Sequence, residues 1–158
     1  MEETLGEGSI ICGVQRINRE QALTYTTGHP ICAVSGIIHD TALALDIDPA
    51  FALAEAILES GWGRSNFAQN RHNWYGYEAY FQRPDAARTF ASDEEGIRVA
   101  LEAMASQYFS PGGAYYAGGA GKTLGGWAKE WVDGGPAHWK AACRQIVALM
   151  MAAMRTAG

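Results

Sequence analysis

Glu59 stands at the end of an apolar run, within Ala56-Ile57-Leu58-Glu59-Ser60-Gly61-Trp62-Gly63-Arg64-Ser65, and a carboxyl in that setting is a candidate general acid. Desolvation beside Leu58 and Trp62 disfavours the charged form and keeps a proton on the group near neutral pH. Glu55, one helical turn earlier, is expected to add a like charge that pushes the same way. Gly61 and Gly63 lack a Cβ and permit the positive φ of a sharp turn, and Trp62 between them offers a flat apolar face wide enough for a sugar ring. Alone, Glu59 reads equally well as a helix-end carboxylate paired with Arg64, so the case rests on what surrounds it.

Asp48 can cap the start of the helix that carries Glu59 and Pro49 suits its first turn, while Ala50, Leu53, Ala54, Ile57 and Leu58 recur at helical spacing, which predicts a core helix over 49–60. Asn18-Arg19-Glu20-Gln21 reads as a capping box opening a short helix, and a second helix is predicted from about Pro30 with Val34, Ile37, Ile38, Thr41 and Leu45 on one face. Aromatics alternate over 74–81, Pro84-Asp85 can turn, and 87–90 can return, so one small hairpin is expected. Ser92-Asp93-Glu94-Glu95 caps another helix, marked by Ile97, Leu101, Met104 and Tyr108. A short helix follows Leu124 to about Asp133, and Trp139, Cys143, Ile146, Val147, Met150 and Met154 form the core stripe of the last one. The glycine-rich stretch over 112–126 lacks the spacing of a phosphate loop and is expected to form a mobile lid.

The chain has 158 residues, 48% of them hydrophobic and 18% charged, which suits one globular domain over 1–158 with its core at about 9–155. Twelve Lys and Arg against seventeen Asp and Glu give a net charge of −5, the wrong sign for displacing counterions from nucleic acid. No window is apolar enough to span a membrane, and the first residues have neither the basic start nor the apolar core of a secretory leader. Cys12, Cys32 and Cys143 form no paired motif; a disulfide framework is not expected, although a single bridge stays open. The four histidines at 29, 39, 72 and 138 lack ligand spacing, so neither metal nor cofactor is expected. A monomer is expected.

Leu58-Glu59-Ser60-Gly61-Trp62-Gly63-Arg64-Ser65, then Phe67-Ala68, Asn73-Trp74-Tyr75-Gly76-Tyr77 and Thr89-Phe90, resembles the glucosaminidase family, glycoside hydrolase family 73, in order and spacing from about Ile10 to Met154. The resemblance implies a mainly α, α+β lysozyme-like fold with one small β-hairpin next to the catalytic helix. It implies cleavage of the peptidoglycan glycan strand of bacterial cell walls at N-acetylglucosamine, with Glu59 protonating the departing glycosidic oxygen. Such a protein is expected to act at the cell wall, whether exported by another route, separated from its leader, delivered by a phage or carried as a fragment of a larger protein.

Family members often carry a second acid in the hairpin region. Here Glu78 and Asp85 lie in it, and Glu78 is the preferred second catalytic residue, against a solvent-facing strand position; Asp93, Glu94 and Glu95 are better explained by the charge of a helix start. The substrate's own N-acetyl oxygen, or an activated water, could replace it. Candidate substrate contacts are Trp62, Asn73, Tyr75, Tyr77, Tyr115, Tyr116 and Trp131, with Asn73 equally suited to turning the chain, and Tyr75 and Tyr77 to packing. The family usually places a Tyr where Trp131 stands, and an indole stacks on a sugar but has no hydroxyl, so that role is lost or passes to Tyr115 or Tyr116. The rival readings are a lysozyme-like muramidase or lytic transglycosylase, whose usual segment after the Glu is missing, and a catalytically silent peptidoglycan-binding or phage-tail structural domain.

Overall fold

The computed structural model describes residues 3–78 and 87–157. It is mainly helical: α1 spans Arg19–Thr26, α2 Cys32–Ala44, α3 Pro49–Ser60 and α4 Asn66–Arg71; α5, Asp93–Ala103, runs into a π-helical turn over Met104–Tyr108; after a 3-10 turn at Gly118–Ala120 come α6, Leu124–Trp131, and α7, Pro136–Met154. Two isolated antiparallel bridges, Ile10 to Thr123 and Cys12 to Ile47, hold the N-terminal segment against this bundle.

The centre is α3. Asp48 accepts from the Ala50 N–H at 3.1 Å, Pro49 occupies the first turn, and Gly61 ends the helix at φ 56°, ψ 53°. The capping carboxylate, fully buried, also accepts the Arg16 backbone N–H at 3.1 Å and pairs at 2.7 Å with the guanidinium of the partly buried Arg16. That pair clamps the N-terminal segment onto the start of the helix. Every residue from Pro49 to Ile57 is buried because α2 and α7 pack against α3, and Phe51 meets Phe109 and Trp127 edge-on at 6.3 and 4.8 Å. A helix apolar on all sides is stable only when wrapped in this way, each large side chain contributing about 1.5–3 kcal/mol.

The Asn18 capping box forms as predicted, Asn18 accepting from Gln21 N–H at 2.8 Å and Gln21 accepting from Asn18 N–H at 2.9 Å. The Gln21 amide also donates to Met154 O and Thr156 O, which fastens α1 to the end of α7. Asn18→Ala is expected to lower unfolding free energy by about 1 kcal/mol, measured by urea denaturation. On α7 the expected stripe packs inward, with Trp139, Cys143, Ile146 and Met150 buried and Val147 and Met154 partly so.

The ends of the expected hairpin meet, Arg88 N–H donating to Tyr77 O at 3.2 Å, but 74–78 and 87–90 form no regular strand. The turn at Pro84-Asp85 lies outside the described residues. The glycine-rich stretch is partly folded onto α6: a Cβ on Gly126 would lie 2.0 Å from Ala120 O, and one on Gly121 2.1 Å from the Tyr116 ring. These two glycines permit close packing. All three thiols are free. Among the described residues no helix is long and apolar enough to cross a membrane.

Candidate active site

Three successive left-handed residues follow the core helix: Gly61 at φ 56°, Trp62 at 61° and Gly63 at 92°. For Trp62 this is a costly conformation, sustained by its surroundings. Its N–H donates to Ile57 O at 3.0 Å, and its carbonyl accepts the Ile31 N–H at 3.1 Å. Ser60 secures the turn from below, its hydroxyl donating to Ala56 O and accepting the Gly63 N–H. The serine beside the catalytic candidate is therefore structural.

The turn leaves Glu59 exposed at the end of a buried helix, although protein atoms crowd its carboxyl and desolvate it. Burial pushes its pKa up to about 7, so the acid form persists at neutral pH. Glu55, one turn deeper and 1% exposed, has no hydrogen bond of good geometry to either carboxyl oxygen among the described residues, although the Glu59 carboxyl and the Trp131 indole lie close enough to bear on its proton. Burial first, and then the charge of Glu59, hold Glu55 well above the usual carboxyl range. This corrects the expected sign of its influence. A neutral Glu55 contributes a hydrogen-bond donor, which lowers the pKa of Glu59 instead of raising it.

Trp131 links the acids to an aromatic wall. It stacks on Trp127 at 5.7 Å and lies 5.3 Å from Tyr108 and 6.5 Å from Tyr77. Tyr108 in turn stacks on the exposed Tyr115 at 5.0 Å. Trp131, Tyr77 and Tyr115 are thus joined, through Tyr108, in one chain of ring contacts that reaches Glu55 at Trp131. Tyr108, read from the sequence only as a helix-face residue, joins it because the π-helical turn over Met104–Tyr108 shifts the side-chain register at the end of α5. On the other flank Trp62 is half-buried, one face covered by His29 at 4.2 Å and its ring 5.4 Å from Tyr25. His29 also meets Arg64 at 3.2 Å, so Arg64 is occupied there rather than with Glu59.

Other expected contacts belong elsewhere. Tyr75 is fully buried and its hydroxyl donates to Ala52 O at 2.8 Å; it is a core residue because the chain turns it under α3, away from solvent. Asn73 is 2% exposed, with both amide protons used on Tyr77 O and Arg88 O and its oxygen accepting the Tyr77 N–H. It holds the two arms of the 74–90 segment together and has no proton left for a substrate. Tyr116 is half-buried, its ring lying over Gly121, and packing accounts for its place. Glu78 is exposed at φ 65°, in a turn rather than a strand. Asp93 accepts from the Trp74 indole and meets His72, each at 2.8 Å, while Glu95 caps Ala91 N–H, so both are occupied at the start of α5. Among the described residues no three His, Cys, Asp or Glu side chains converge as a metal site.

A raised acid at the end of a buried central helix, in a helical domain with an aromatic wall, defines a lysozyme-like class of fold. The structure of Staphylococcus aureus autolysin E in complex with the muropeptide NAM-L-Ala-D-iGlu shares it, with a TM-score of 0.63 at 12% identity over 94% of this chain and 72% of that one. Residues 36–152 match the glucosaminidase family, described as mannosyl-glycoprotein endo-beta-N-acetylglucosaminidase, and the chain belongs to that family. Two relatives from Streptococcus pneumoniae strains, one of serotype 4, are provisionally named endo-beta-N-acetylglucosaminidase and are 36% identical over 67 residues. That stretch is 42% of this chain but a tenth of each relative's length.

Proposed function

We propose that this domain is an endo-acting β-N-acetylglucosaminidase that hydrolyses the glycan strand of bacterial peptidoglycan at the cell wall, with Glu59 as its general acid. The observation that carries the reading is a carboxyl held protonated up to about pH 7 by burial at the exposed end of a buried helix, one turn from Glu55, which Trp131 connects to a set of aromatic rings suited to pyranose faces. Family membership supports the substrate class. Glu59 gives its proton to the glycosidic oxygen as the bond to the anomeric carbon breaks; a water then adds its hydroxide to that carbon, and its remaining proton leaves through a base. Glu78 is our candidate for the second carboxylate, supported by its exposure and its place beside the Asn73 brace. Trp131, Tyr77 and Tyr115 form the sugar platform. Among the described residues the large exposed apolar side chains are Ile10, Val14, Leu43 and Tyr115, spread singly along the chain, and this supports action as a monomer.

Mass spectrometry of borohydride-reduced digests of purified peptidoglycan tests this reading. Reduced N-acetylglucosamine ends are expected; reduced muramic or anhydromuramic ends would make the protein a muramidase or lytic transglycosylase, and no products would leave a binding domain. The pH profile is a separate expectation. The acid must be protonated to work, so kcat/KM is expected to fall above about pH 7, roughly tenfold per pH unit, in initial rates of wall-suspension clearing.

A further inference from the structure

Glu55 has no place in the reaction as written, yet its position is hard to account for by packing alone. It is a carboxyl 1% exposed on a helix whose other residues from Pro49 to Ile57 are all apolar, and neither oxygen has a well-formed hydrogen bond among the described residues. An apolar side chain of the same length would cost less to bury. Its spacing of four residues puts it on the same face of α3 as Glu59, directly beneath it.

The groups that face Glu55 narrow what it can do. From α6 comes the Trp131 indole, which only donates. From the segment after α4 Tyr75 lies near enough to feel the charge of Glu55, but its hydroxyl proton is committed to Ala52 O. From α7 comes the buried thiol of Cys143, a weak partner. Glu59, on its own helix, is the strong acceptor.

We propose that Glu55 is a positioning residue of the site: it remains a neutral acid and donates its O–H to the carboxylate of Glu59 that forms when Glu59 protonates the leaving oxygen. This rests on the reading of Glu59 as the acid. Before the reaction both carboxyls carry protons and their mutual hydrogen bond is poorly aligned, as catalytic hydrogen bonds often are without substrate. Once Glu59 has given up its proton, the contact becomes a charge-assisted hydrogen bond, stronger than the one before it. The stabilisation is therefore larger at the transition state than in the ground state, and only such differences accelerate a reaction. Glu55 keeps its own proton throughout, and Glu59 is reprotonated from solvent.

The test compares Glu55→Met, which keeps the length and removes the donor, with Glu55→Gln, which keeps an N–H donor in the same place. Carbon-13 NMR titration of the side-chain carboxyls reads the Glu59 midpoint without substrate, and wall digestion reads kcat and KM. In Glu55→Met the Glu59 midpoint is expected to rise by about one pH unit and kcat to fall about tenfold with KM unchanged. Glu55→Gln is expected to rescue both. An unmoved midpoint in Glu55→Met, or the same shift in Glu55→Gln, overturns the proposal. If the expected titrations appear in a protein that digests no peptidoglycan, the hydrogen bond stands and the hydrolase reading falls.

Discussion

Glu59→Gln is expected to lower kcat on peptidoglycan by about 10²–10⁴-fold, the range general acid catalysis contributes, while leaving the fold intact. The amide has nearly the shape of the acid but cannot transfer a proton to the departing oxygen. The loss should fall on kcat rather than KM, since proton donation is realised only in the transition state. Structure has little to lose: Glu59 makes no hydrogen bond that braces the turn, a task carried by Ser60, Ile31 and the two glycines. Circular dichroism and thermal melting should therefore match the native protein. Retention of more than a tenth of native kcat with a normal melt would remove Glu59 from the mechanism.

The second large effect is expected from Gly63→Ala, which should destabilise the protein by about 3 kcal/mol. Two costs combine. Gly63 sits at φ 92°, where an L side chain is strained, and an added Cβ would lie 2.6 Å from the Ile31 backbone nitrogen and 3.0 Å from the Trp74 ring. Backbone cannot step aside as a flexible side chain can, so either α2 moves away from the turn or the turn opens. Opening it would break the 3.1 Å hydrogen bond from Ile31 N–H to Trp62 O and displace Glu59 from its helix end. A melting temperature lowered by roughly 6–12 °C, with activity lost at lower temperature than unfolding, is the expected result. Equal melting temperatures would show that the turn relaxes at no cost. Gly61 provides the contrast, since a Cβ there meets nothing within 4 Å and only the φ cost remains.

The core helix and its acid were legible in the chain because their signals are local. Asp48, Pro49 and Gly61 mark the ends of α3 through cap chemistry that involves neighbours a few residues away, and the apolar spacing between them sets which faces are buried. The same holds for the Asn18 box and the α7 stripe. The family motif added the order of the turn, the brace at Asn73 and the aromatics.

Which aromatics border the site was not legible. Tyr75 and Tyr77 stand two apart in an alternating run, yet the first lies beneath Ala52 in the core and the second faces Trp131, because the segment bends through a turn where a strand was expected. Trp62 looked like an open platform until His29, from the chain before α2, covered one face. Tyr108 entered the wall through a π-helical turn that no periodicity announces. The influence of Glu55 reversed for the same kind of reason. Two glutamates four apart on a helix repel when both face water, and that is all the spacing says. Sealed under Trp131, Tyr75 and α7, the deeper one keeps its proton and becomes a donor to the other. The sequence by itself determined the helix, its caps and the acid at its end, since those follow from interactions within a turn or two. The tertiary structure decided each side chain's proton and facing, since burial and hydrogen-bond partners come from elements far apart along the chain.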